Sequence, residues 1–347
     1  MEWEPERSLR ARMALTLALV AVLPLAFVWT MTTALNWIVL PLADFLLAPQ
    51  FGRIGFDPVV VFALTLLGLG LAYVAGERMT LRSVGARRVD EAERPELHAR
   101  LRRLATTAGV PKPDLAIIDS AVPNAFATGR SQSDATIAVT EGLVETLEDD
   151  ELDAVLAHEL AHVRNRDATV MTVAYLLPTL TFYVAMVAYH ALSLKGHFLA
   201  NVRLSDADDL RAVLALGVLF AVTTVVTLTV SAIFWAASFL LFRVLSRYRE
   251  YIADRGAAAI TGDPLALASA LARIDDEMHA QPDQDLRDLD GGVEALYVSS
   301  LDVQKFTDGD PALLSQDLFP DTHPPTDERI ERLQGLSAEL EAPTARV

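Results

Sequence analysis

His158, Glu159 and His162 stand in the order H-E-x-x-H. Residues four apart on an α-helix share a face, so both imidazoles can bind one ion. The glutamate then lies beside the open coordination position as a candidate general base. Two neutral histidines leave a zinc ion short, because catalytic sites use three protein ligands and a water. The chain contains no cysteine, so the missing ligand must be His, Asp or Glu. The segment 246–257, SRYREYIADRGA, sets Glu250 and Asp254 four apart on a predicted helix. Glu250 can complete a set of two histidines and one glutamate, and Asp254 on the same face can accept a hydrogen bond from a ligand imidazole. Taken alone, such an acidic pair is also what a solvated helix face looks like.

These residues need elements to hold them. Asp149 or Asp150 can cap a helix in which Leu152, Val155, Leu156, Leu160 and Val163 recur at helical spacing to about Asn165, and this helix carries the motif. Upstream, Leu97, Leu101, Leu104 and Ala108 predict an amphipathic helix over 95–108, ended by Gly109. The short runs DLAIID (114–119) and ATIAVT (135–140) predict a small sheet, linked by PNAFATG (123–129). Downstream, 246–260 reads as helix, Asp263 and Pro264 start another to about Met278, and Thr326 can cap a last helix bearing Ile330, Leu333 and Leu336.

Around these elements lie four uncharged stretches, 13–35, 58–76, 168–194 and 212–242. Each is long enough to cross a bilayer, which takes about 20 apolar residues, so four spans are expected. Basic residues Arg7, Arg10 and Arg12 precede the first stretch, Arg78, Arg82, Arg87 and Arg88 follow the second, and Arg243, Arg247 and Arg249 follow the fourth. By the excess of positive charge on cytoplasmic loops, both large polar segments face the cytoplasm. The expected organisation is a cytoplasmic N-terminal tail (1–12), a first transmembrane hairpin (13–76), a first cytoplasmic segment with the motif (77–167), a second hairpin (168–242) and a second cytoplasmic segment with the third ligand (243–347). Asp149, Asp150, Arg164 and Arg166 flank the motif, which therefore sits in water and not inside a span.

The formal net charge of −17 argues against nucleic acid as a partner. Lys112, Lys195 and Lys305 are the only lysines among 29 basic residues, a balance that resembles proteins of salt-loving archaea.

The strings PNAFATG, HELAHVRNRD, SRYREYIAD and THPPTDERI, in that order, resemble the HtpX-type membrane zinc metalloproteases, relatives of the CAAX prenyl proteases. The resemblance covers roughly residues 77–336. It implies an α+β membrane protein with a mainly helical, zincin-like protease domain of gluzincin type and a small sheet. It also implies one zinc per chain on His158, His162 and Glu250, with Glu159 as base and Asp254 behind a ligand. His323 and Arg329 are implied near the scissile carbonyl, and Asn124, Ala125 and Phe126 on the strand rim where substrate lies. The expected substrates are proteins or peptides, above all misfolded membrane proteins in contact with the lipid bilayer of the plasma membrane. The other readings are a CAAX-type prenyl-peptide protease and a noncatalytic membrane scaffold or chaperone.

Overall fold

The computed structural model describes residues 7–47, 57–171, 207–280 and 324–341, with a few further positions between 174 and 188. The chain divides into two compact units. One combines residues 74–172 with 243–347 and the other residues 5–73 with 173–242.

In the first unit, β1 (Arg87–Val89), β2 (Asp114–Ile118), β3 (Ala125–Thr128) and β4 (Thr136–Thr140) form one sheet in the order β1-β2-β4-β3. β2 and β4 run parallel, with Ala116 opposite Ala138, while β1 and β3 are antiparallel edge strands. The β-branched runs account for β2 and β4. The segment expected only to link them is itself a strand. Its alanines carry little β-propensity, and it is held by pairing to β4 and by Thr140, whose Oγ1 accepts from Asn124 N at 2.8 Å.

α4 (Pro95–Ala108) starts with Pro95 in its first turn and stops at Gly109, left-handed at φ 70°. α5 (Glu141–Thr146) leads to α6 (Asp149–Asn165). The cap of α6 is Glu148, one residue earlier than the aspartates suggest. A reciprocal box decides this, since Glu148 and Glu151 each accept from the other's backbone N–H. α7 (Ala207–Thr261) contains the expected 246–260 helix as its last turns. Gly262 then turns left-handed at φ 79°, and Asp263 Oδ1 accepts from Leu265 N and Ala266 N to start α8 (Pro264–Ala280). α9 (Thr326–Glu341) begins at Thr326. Leu101, Ile137, Leu156, Leu160, Leu267 and Leu271 form the centre of one core shared by sheet and helices.

The second unit is helical. α1 (Arg7–Ala34) continues through a π-helical turn (Leu35–Val39) into α2 (Leu40–Leu47), and α3 starts at Pro58 and ends at Ser83, past the unit's boundary. Phe27 meets Phe234 edge-on, with ring centroids 5.5 Å apart, in a small cluster with Val28, Val61 and Phe62.

The expected four spans become two. Among the described residues, Val22–Leu46 and Val213–Thr261 are the helices long and apolar enough to cross a bilayer. The first runs on because the π-turn continues it, and the last because no proline interrupts it before Gly262. The stretch 58–76 supplies a shorter apolar run, Val59–Gly68, and most of 168–194 lies outside the described residues. Side chains such as Trp37, Phe45, Val225 and Ile233 are exposed along these helices, where a water-soluble core helix would bury them.

Candidate metal centre

α6 and the end of α7 carry the donors, and two small residues let them approach. A Cβ on Gly256 would lie 2.6 Å from the Ala161 Cβ, so glycine is what the spacing permits. His158, His162 and Glu250 then offer one ligand atom each, all within 4.8 Å of one another, and all three side chains are buried. His158 Nε2 and His162 Nε2 are 3.1 Å apart, with Glu250 Oε2 3.3 Å from the first and Glu250 Oε1 3.6 Å from the second. Tetrahedral zinc with ligands at about 2.0–2.1 Å has donor edges of about 3.3 Å, which these separations bracket.

Behind each histidine lies a carboxylate. Asp254 Oδ1 is 3.0 Å from His158 Nδ1, and Asp167 Oδ2 is 2.7 Å from His162 Nδ1. A carboxylate at Nδ1 accepts that nitrogen's proton and leaves the Nε2 lone pair for a metal. Each carboxylate has an arginine. Arg329 donates to Asp254 through Nε at 3.0 Å and Nη2 at 2.6 Å, and Arg249 Nε is 3.4 Å from Asp167 Oδ2. Four buried carboxylates (Glu159, Asp167, Glu250, Asp254) outnumber the two buried guanidiniums, an excess of acidic groups that a divalent cation offsets.

Glu159 has no exposed surface, and neither carboxylate oxygen has a hydrogen-bond partner among the described residues. Burial pushes its carboxyl up to about 7, opposed by His158 and aided by Glu250. Burial alone lowers His158, but Asp254 and Glu250 outweigh it and carry this imidazole up to about 9 in the metal-free protein. His162 is shifted down, chiefly by burial. Arg329 stays charged because Asp254 overcomes its burial. The donor set, the edges and the charge balance all fit zinc.

Asn124 immediately precedes and Ala125 and Phe126 open the edge strand β3, with their side chains buried, and Phe126 packs in a second core cluster with Leu81, Ile118 and Val122. Asn124 N and O are both engaged by Thr140, and Asn124 Oδ1 accepts from Ala125 N at 2.8 Å. Strand alternation therefore aims the Ala125 carbonyl and both backbone groups of Ala127 away from β4. A cavity of about 10 Å³ lined by Ala127, Thr128, His162 and Val163 lies beside this edge. Arg329, expected at the scissile carbonyl, is 2% exposed and engaged by Asp254. His323 lies outside the described residues. Asp167 and Arg249 were not anticipated from sequence. Asp167 closes the string HELAHVRNRD, which was the one available signal.

The model for peptidase family M48 matches residues 91–337. The chain belongs to peptidase family M48. It is 35% identical over 339 residues to Protease HtpX homolog 2 of Methanosarcina acetivorans, covering 98% of this chain and 99% of the relative. It is 39% identical over 285 residues to Protease HtpX homolog 2 of Methanosarcina mazei, covering 81% and 86%. Protease HtpX homolog of Moorella thermoacetica is 36% identical over 336 residues, covering 97% of each chain. The crystal structure of S. mikatae Ste24p superposes with a TM-score of 0.44 at 20% identity, covering 93% of this chain and 67% of that one. The relatives are archaeal and bacterial, and a halophilic origin gains no support from them. Membership of M48 together with the donor cluster makes this M48 protein a zinc metalloprotease acting on protein or peptide substrates.

Proposed function

We propose that the protein is a multi-pass endopeptidase of the plasma membrane that cuts misfolded or damaged membrane proteins on the cytoplasmic face. His158, His162 and Glu250 hold one zinc, and Glu159 is the general base. The observation that carries this is the buried Glu159, without a hydrogen-bond partner among the described residues, beside three convergent donors. When bound, zinc supplies a Lewis acid and acidifies a water. Glu159 takes the proton of the attacking water and passes it to the leaving amine.

The outward backbone groups of Ala127, beside the small cavity next to His162, give an extended substrate hydrogen-bond partners that do not depend on its side chains. Such recognition selects unfolded segments over particular sequences, which supports a quality-control role. The excess of arginine beside the apolar stretches supports the cytoplasmic orientation.

The test pairs wild type with Glu159→Gln in detergent, measuring bound metal and cleavage of denatured casein. Zinc in both proteins, with cleavage by the wild type alone, is the expected result. Cleavage by the variant at the wild-type rate would remove Glu159 from the mechanism.

A further inference from the structure

Asp254 stands behind His158, but His162 also has a carboxylate behind it that the fold goes to some length to place. Asp167 is five residues beyond His162, a spacing that a continuing α-helix would send to another face. The chain breaks helical geometry at Arg166, with φ 59° and ψ 37°, and this is the sole positive φ outside glycine among the described residues. A left-handed conformation crowds the Cβ of an ordinary residue against the backbone, and local strain of this kind gathers at functional sites. The break returns the Asp167 carboxylate to within 2.7 Å of His162 Nδ1, where it is 6% exposed.

Arg249 completes the arrangement. It is 4% exposed, with Nε 3.4 Å from Asp167 Oδ2 and Nη2 3.5 Å from Glu250 Oε1. Burying a guanidinium is unfavourable unless anions surround it, and these two carboxylates are such anions. Arg329 Nη1 approaches the other oxygen of Glu250, Oε2, at 3.7 Å. The glutamate is thus flanked by one cation at each oxygen.

Resting on the zinc-protease reading, we propose that Asp167 and Arg249 are positioning residues. Asp167 fixes the ring and tautomer of His162, and Arg249 ties that carboxylate to Glu250, so that ligand two and ligand three are set together. The arm His162–Asp167–Arg249 is the counterpart of His158–Asp254–Arg329, and the two arms act on different histidines.

The experiment uses the full chain in detergent. Zinc affinity is measured by chelator competition, and the visible spectrum of the cobalt(II)-substituted protein reports ligand geometry. Asp167→Ala is expected to weaken zinc binding about 10-fold to 100-fold and to alter the cobalt spectrum, with Asp167→Asn between it and wild type. Arg249→Met should change the same spectrum and weaken zinc binding in the same direction. Thermal unfolding of the metal-free proteins separates these effects from general instability, and Asp167→Asn serves if the alanine variant does not fold. Zinc affinity within twofold of wild type and an unchanged cobalt spectrum in both Asp167 variants would overturn the role of Asp167. The same result in Arg249→Met would overturn that of Arg249. A wild type that binds no zinc would instead overturn the underlying reading.

Discussion

Arg329 meets Asp254 through two parallel hydrogen bonds, Nε to Oδ2 and Nη2 to Oδ1, with both side chains buried. The planar guanidinium fits the carboxylate as a fork, which a lysine cannot reproduce. Removing Arg329 leaves a buried carboxylate uncompensated, a loss of about 3–5 kcal/mol in comparable pairs. Arg329→Met is therefore expected to lower stability by about that much and to weaken zinc, with Arg329→Lys intermediate. Unfolding in detergent and chelator competition check this. A variant with unchanged stability and zinc affinity but about 100-fold lower turnover would instead place Arg329 at the oxyanion.

Zinc binding should depend on pH in a definite direction. A metal needs His158 without its Nε2 proton, yet the metal-free protein holds that imidazole protonated up to about 9. Apparent zinc affinity therefore rises with pH, by about tenfold per unit for each proton displaced, and levels off above about 9. Because the folded pKa lies above the ordinary 6.5, the contribution of His158 to metal-free stability is full below 6.5 and is lost as pH rises through 9. Flat zinc affinity between pH 6 and 8 would contradict this account.

Arg166→Gly should stabilise the protein by about 0.5–1 kcal/mol, because glycine adopts the left-handed conformation without the clash. The unfolding midpoint is the readout. A fall in stability would show that the arginine side chain outweighs its backbone strain.

Phe126 lies in the interior, so its replacement should act on folding and not on substrate affinity. Phe126→Ala is expected to cost about 3–5 kcal/mol, and Phe126→Leu less. If the leucine variant keeps its stability but shows a several-fold higher KM, the ring contacts substrate after all.

What could be read in the sequence follows the range of the interactions. His158, Glu159 and His162 are one turn apart on one helix, so their chemistry shows in the spacing alone, as does the pairing of Glu250 with Asp254. Arg329 and Asp254 are 75 residues apart, and no local period announces their meeting. Asp167 escaped because a helix-breaking residue sets its position, and β3 because alanines give no strand signal. The span bounds escaped because helices run past their apolar stretches, Val22–Leu46 beyond residue 35 and Val213–Thr261 beyond 242, while among the described residues 58–76 supplies only the shorter run Val59–Gly68.

The contact between Gly256 and Ala161 makes the site recognisable by what it leaves out. An acidic pair spaced like Glu250 and Asp254 occurs on many helices, but here the position six residues past the glutamate must be empty of side chain, and the third residue after the first motif histidine must be small. This turns a weak pattern into a two-helix signature. A search of distant genomes could require both small positions at once, and a designer grafting H-E-x-x-H onto a new scaffold would have to carve the same notch before any third ligand could reach the metal.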